Sequence, residues 1–265
     1  MPFVTTDDDC EIYYEIHGSG PTVVFISGFM GITEIWHAQM DALKDRYRCV
    51  AFDTRGAGRS EKPLPRLAYG VKRHARDLAT VLDTLDVHRA ILVGHSMGGN
   101  IALEAYCARP DRFGGVVLVG SYVAGAQIIA AGNRPEMIRA GVRTPSARAD
   151  FYMSVGIPEP IAMESTKWPL HAVLGNAESF LEFDGSALLP KVQVPALIVH
   201  GDRDVVAPCD PCATALASGL PTAQLIVLED VNHCPMLEDP VATTQHLEAF
   251  LHKHLNPAGA KRLTD

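Results

Sequence analysis

No stretch of the 265 residues is apolar for long enough to cross a bilayer, which takes about 20 consecutive apolar residues as a helix. Positive charge is scarce: 23 Lys and Arg stand against 31 Asp and Glu, a formal net charge of −8. Nucleic acid and anionic membrane are therefore not expected partners, because neither would be attracted. The opening residues carry Asp7, Asp8 and Asp9 where a secretory leader carries base, and no apolar core follows them. The 6 cysteines are scattered irregularly, which suits reduced thiols in an intracellular protein, and a cytoplasmic location is expected. No internal repeat or low-complexity segment interrupts the chain. Its length and its 47% hydrophobic content fit one α/β unit carrying an inserted piece.

What is present centres on Ala90-Ile91-Leu92-Val93-Gly94-His95-Ser96-Met97-Gly98-Gly99-Asn100. The apolar, partly β-branched start predicts a buried strand. Ile101, Ala102, Leu103, Ala105 and Tyr106 then recur at helical spacing up to Arg109-Pro110. A strand that turns straight into a helix bends through a tight elbow whose apex has unfavourable dihedrals. Side chains two positions either side of the apex would collide, which accounts for Gly94 and Gly98. The apex is Ser96, placed beyond the carboxyl end of a strand, where open α/β sheets keep their chemistry.

Around this centre, apolar runs at 22–26, 48–52, 115–120, 195–200 and 224–228 predict strands. Helical patterns fall near Trp36 to Leu43, before Leu85, and over Val241 to Leu255, with a frayed tail at 256–265. Alternation of buried strands and helices from 22 to 120 implies a parallel sheet with helices on both faces. From Ser121 to about Pro190 the alternation stops, and apolar helical patches lie between recurring glycines and prolines. The stretch Asp53-Thr54-Arg55-Gly56-Ala57-Gly58-Arg59-Ser60 lacks the third glycine of a dinucleotide site. It reads as a structural turn in which Asp53 and Arg55 brace each other.

His95-Ser96-Met97-Gly98-Gly99, set between strand and helix, resembles the nucleophile elbow of the α/β-hydrolase fold, in its esterase, lactonase and haloperoxidase branch. The resemblance runs over nearly the whole chain and is weakest at about 121–190. It implies a mostly parallel eight-stranded sheet flanked by helices, opened by an antiparallel hairpin. The hydrolase core would comprise 1–120 and 191–265, with 121–190 inserted as a helical cap. Trp168, Tyr152 and Met153, together with Phe151 and Met163, would give that cap an apolar, substrate-binding underside. Ser27-Gly28-Phe29-Met30-Gly31 stands where the family has His-Gly-x, so the amides of Phe29 and Met97 are the implied oxyanion donors. Ser27 replaces the usual histidine, which bears on how the loop is braced. Gly201 to Pro208 is similar to the family's acid loop, and Asn232-His233-Cys234-Pro235 to its histidine loop, with Asn232 where glycine is usual.

A serine hydroxyl is a poor nucleophile at neutral pH unless a base reaches it and a third group orients that base. The order Ser, Asp, His is supplied by Ser96, Asp204 and His233, each just past the end of a predicted strand. Asp204 is preferred to Asp202 on the family spacing, Asp202 being suited to capping the loop. Of the 11 histidines only His233, His246, His252 and His254 follow the acid loop, and the last three fall on the polar face of the closing helix. These residues suit acyl transfer without metal or organic cofactor. The pair Cys209 and Cys212, with no second pair, is a weak metal or redox signal. The expected partner is a small-molecule substrate, an ester or lactone of a largely apolar molecule. Carbon–carbon bond hydrolysis and cofactor-free perhydrolysis use the same triad, and a ligand-binding protein that kept the triad is the alternative of another class. Monomer and homodimer both remain open.

Overall fold

The structure, a computed structural model, describes residues 2–29, 31–64 and 68–255. Among the described residues eight strands are formed: β1 (Phe3–Thr5), β2 (Glu11–His17), β3 (Thr22–Ile26), β4 (Arg48–Phe52), β5 (Ala90–His95), β6 (Phe113–Val119), β7 (Ala196–Gly201) and β8 (Ala223–Leu228). They make one sheet in the order β1-β2-β4-β3-β5-β6-β7-β8. β1 and β2 are antiparallel, β2 meets β4 antiparallel, and every later pairing is parallel. The continuous apolar runs are the central strands, with β3, β5, β6 and β7 buried along their whole length. Such strands need cover on both faces.

Cover comes from two apolar clusters, and side-chain alternation decides which residue joins which. Val24, Ile26, Leu92, Leu118 and Ile198 face one layer. Val23, Phe25, Ile91, Val93, Val119 and Val199 face the other. The flanking helices are α1 (His37–Leu43), α2 (Val71–Thr84), α3 (Met97–Ala108) and, near the end, α9 (Thr214–Gly219), α10 (Pro235–Glu238) and α11 (Pro240–Leu255).

Between β6 and β7 lie only helices: α4 (Gly125–Ala130), α5 (Pro135–Gly141), α6 (Pro145–Ser154), α7 (Glu159–Glu164) and α8 (Leu170–Glu182), with short 3-10 turns between them. The prolines that punctuate this segment start helices rather than interrupt them. Pro135 and Pro145 open α5 and α6, where a missing N–H costs nothing. The segment leaves and rejoins the sheet through a narrow neck. Gly125 N–H donates to the Phe183 carbonyl and Gly185 N–H to the Val123 carbonyl, both at 2.9 Å, around a bridge between Ala124 and Asp184.

The turn after β4 differs from expectation. Asp53 does not brace Arg55; its two oxygens accept the amides of Thr33 and Arg59, each at 2.8 Å. Arg55 is fully buried and pairs with Asp77 at 2.6 Å and Asp8 at 2.9 Å. It thus ties the first turn of the chain to α2, a long-range pairing that sequence proximity conceals. The expected tail at 256–265 lies outside the described residues. No described helix is long and apolar enough to cross a membrane.

Candidate active site

Ser96 sits between β5 and α3 with φ 52° and ψ −121°, backbone values that non-glycine residues rarely adopt. The flanking glycines make this turn possible. A Cβ on Gly94 would stand 2.3 Å from the Gly98 carbonyl oxygen, and one on Gly98 2.2 Å from that of Ile26. The Ser96 amide donates to the Val119 carbonyl at 2.9 Å, which fixes the elbow against the end of β6.

Three loops at the carboxyl ends of β5, β7 and β8 bring Ser96, Asp204 and His233 together. His233 Nε2 is 3.1 Å from Ser96 Oγ, and His233 Nδ1 is 2.9 Å from Asp204 Oδ2. All three side chains are buried. Asp204 Oδ1 accepts the amides of Val206 and Ala207 at 2.9 and 2.8 Å. Burial by itself would raise the Asp204 pKa, but the neighbouring imidazoles, His233 foremost, hold it well below the usual carboxylate range. An ionised Asp204 fixes the proton of His233 on Nδ1 and leaves Nε2 free to accept from the serine hydroxyl. Asp202 does not reach the imidazole; its Oδ1 accepts the Val231 amide at 3.3 Å.

Several supporting groups had no separate role in the sequence. His200 Nε2 lies 3.2 Å from Asp204 Oδ2 and donates to the Ala207 carbonyl at 2.6 Å. His95 Nε2–H donates to the His233 carbonyl at 3.0 Å. Burial draws the His95 pKa down to about 3, so this imidazole is neutral. Glu238 accepts the amides of Asn232 and Cys234, both at 2.8 Å, and so holds the loop on either side of His233. Only the histidine-loop motif hinted at Glu238. The other contacts join residues too far apart in the chain for local pattern to reveal.

The loop after β3 lies directly beside the serine: a Cβ on Gly28 would stand 2.9 Å from Ser96 Cβ. Its turn is closed by Gly31 N–H to the Gly28 carbonyl and by Ser27 Oγ–H to the Ile32 carbonyl, each at 3.0 Å. Ser27 thereby braces the loop where the resemblance led one to expect histidine. Phe29 comes next, its ring against Phe180 with centroids 4.9 Å apart. Met97 is the first residue of α3, where helix amides have no partner within the helix.

Ser96, His95 and His233 open on a cavity whose remaining wall is mainly carbon: Phe29, Ile35, Ile128, Ile138, Phe151, Tyr152, Val155, Ile157, Phe180 and Val206, with Asn133 and Tyr122. Of the five residues expected to form the apolar underside, Tyr152 and Phe151 line the cavity, while Met163 is exposed. Trp168 is buried elsewhere in the helical segment, where its carbonyl accepts from Arg148 at 2.6 Å. Met153 is 40% exposed. Successive helix residues point about 100° apart, so Phe151 and Tyr152 share the cavity face and Met153 is carried past it. Ile138 and Asn133 were missed; Asn133 Nδ2 ties the wall to the acid loop through the carbonyls of Val206 at 3.1 Å and Val205 at 3.3 Å. The Tyr152 hydroxyl donates to the Phe29 carbonyl.

Among the described residues, one group of three side chains could hold a metal ion: Glu15, His17 and His37, none of which lines this cavity. Cys209 and Cys212 are free thiols and also lie outside its wall.

A family model described as alpha/beta hydrolase fold matches residues 21–156. A protein named carbamate hydrolase RutD from Azorhizobium caulinodans is 31% identical, over 82% of this chain and 86% of its own. A non-heme haloperoxidase from Rhodococcus erythropolis is 30% identical, over 91% and 96%. Among solved structures, an esterase from Thermogutta terrifontis superposes with a TM-score of 0.82 at 26% identity, covering 95% of this chain and 98% of its own.

Proposed function

Because the chain belongs to the alpha/beta hydrolase family, we propose that it is a serine hydrolase that cleaves an ester or lactone bond of a small, largely apolar molecule through an acyl-enzyme. The observation that carries this reading is the continuous line from Asp204 through His233 to Ser96, which ends at the floor of an apolar cavity. Ser96 Oγ attacks the carbonyl carbon while His233 Nε2 takes its proton. Asp204 stabilises the imidazolium that forms. The amides of Phe29 and Met97 receive the oxyanion, and the proton on Nε2 passes to the leaving alkoxide. Water, deprotonated by the same nitrogen, then releases the acid and restores Ser96.

The preference for apolar substrates rests on the wall, which offers carbon from Ile128, Ile138, Phe151 and Phe180 and, among the described residues, no Asp, Glu, Lys or Arg. We assign selection among substrates to the helical segment 121–190, acting as a cap over the core formed by 1–120 and 191–265. The named functions of the relatives include carbamate, ester and haloperoxidase chemistry, and a carbamate carbonyl would accept the same attack.

A hydrolysis panel of aryl and alkyl esters, lactones, carbamates and a diketone, with product identification, tests the proposal. Turnover of an ester or lactone, lost in Ser96→Ala, is the expected result. Carbon–carbon cleavage products would replace the ester reading. Tight binding of the panel without turnover would favour a ligand-binding protein.

A further inference from the structure

The loop that carries one oxyanion donor is gripped from the cap side at two points. The Tyr152 hydroxyl, on α6, donates to the carbonyl of Phe29. The Phe180 ring, on α8, packs on the ring of Phe29 with centroids 4.9 Å apart. Both gripping residues are buried, Tyr152 at 3% and Phe180 at 6% exposure, so neither contact is diluted by solvent. Burial also pushes the Tyr152 pKa well above its ordinary value, which keeps the hydroxyl a donor throughout the working range of pH. The peptide units on either side of Phe29 are planar. Fixing the carbonyl on one side and the ring at Cα therefore leaves the amide on the other side little freedom to turn.

Resting on the serine hydrolase reading, we propose that Tyr152 is a positioning residue for the oxyanion hole. Its hydroxyl, seconded by the Phe180 ring, aims the Phe29 amide at the developing oxyanion, so the hole is complete only while α6 is seated on the loop. Tyr152 lines the cavity as well, but the proposal assigns its hydroxyl to the protein's own backbone rather than to substrate. The two helices are anchored differently, which makes the coupling directional. α8 is fixed to the core by Asn176, whose side chain bonds the Arg55 carbonyl at 3.1 Å and His74 at 2.8 Å. α6 is bound by Arg148 to the carbonyls of Ser165 and Trp168, within the helical segment. Displacement of α6 to admit substrate would release the Phe29 carbonyl, and its return would restore the donor.

Tyr152→Phe removes only the hydroxyl and tests the proposal on the intact enzyme with its best ester. Misaiming a preorganised donor should lower kcat about 10–100-fold and leave KM within about twofold. A trifluoromethyl ketone, which adds to Ser96 Oγ and places an oxyanion in the hole, should bind weaker by the same factor. The secondary alcohol of the same shape, which bears no oxyanion, should bind as before. Phe180→Leu should move the same quantities in the same direction by less, and it carries the test if Tyr152→Phe fails to fold by thermal melting. Raised KM and weakened alcohol binding at constant kcat would overturn the proposal and make Tyr152 a substrate wall; so would no change in any quantity. Failure of the hydrolase reading itself would look different: the native enzyme would form no ketone adduct, or Ser96→Ala would keep its activity.

Discussion

The two walls of the cavity are built on different principles. On the sheet side, the three residues of the proposed triad are held by short polar contacts: Ser96 by the Val119 carbonyl, Asp204 by two amides, and the His233 loop by Glu238. On the helical side the wall is carbon, and the polar joints to the rest of the protein include the Tyr152 hydroxyl, Asn133 and Asn176. Hydrogen-bonded loops at strand ends suit chemistry that tolerates little displacement. A carbon wall on inserted helices suits selection among apolar groups. Substitutions on the two sides should therefore have different effects.

The sharpest contrast is at Ser96. Ser96→Ala should fold normally and lose roughly 10⁶ in kcat, and a phosphonate should label Ser96 alone, as read by peptide mass spectrometry. Labelling at another residue would overturn the assignment of Ser96 as nucleophile. Next comes the acid loop. Asp204→Asn should lower kcat by roughly 10³–10⁴, whereas Asp202→Asn should leave it nearly unchanged, since only Asp204 bonds the imidazole. Rates of the two variants on one ester decide between them.

Across the cavity, smaller effects of another kind are expected. Ile138→Ala should reorder acyl-chain preference by about 1–3 kcal/mol per methylene and leave the labelling rate of a small phosphonate intact. Abolished labelling with unchanged ranking would mean that the helices hold the catalytic residues in place. Trp168→Phe, away from the cavity, should shift the thermal midpoint and not the ranking.

A separate effect, on stability alone, concerns the joint between the walls. His74 Nε2–H donates to Asn176 on α8 at 2.8 Å. Burial, only partly offset by Asp77, lowers the His74 pKa from 6.5 to about 4. Below pH 6.5 the unfolded chain therefore binds a proton that the native state refuses. The stability present at neutral pH is lost as pH falls from 6.5 towards 4, by up to about 1.4 kcal/mol per pH unit. Urea unfolding at pH 7 and pH 4.5 should show His74→Gln losing less on acidification than the native chain.

The polar wall was legible in the sequence to a degree that the carbon wall was not. Gly94-x-Ser96-x-Gly98, Asp204 and His233 stand out in the sequence because the motifs set particular polar residues just past strand ends, and the three side chains do meet there. The strands were legible because continuous apolar runs between helices have few alternative uses. Asp53 and Arg55 misled because adjacency suggested a pair, while their partners lie at Thr33, Arg59, Asp8 and Asp77. Trp168 and Met153 misled for a related reason: an apolar residue declares that it packs, not against what. Helices as short as α6 and α7 carry too few turns for periodicity to assign a face.

The neck at Ala124 and Asp184 bears on how such a protein could be altered. A chain segment whose ends are already pinned side by side imposes almost no length requirement on what lies between them. Doubling or halving a closed loop changes its closure entropy by only about 0.6 kcal/mol. The segment can thus be regarded as a cassette. A donor stretch of different length, joined at the neck hydrogen bonds, would leave β6 and β7 in register, and new substrate preferences could be installed by transplantation rather than by piecemeal substitution.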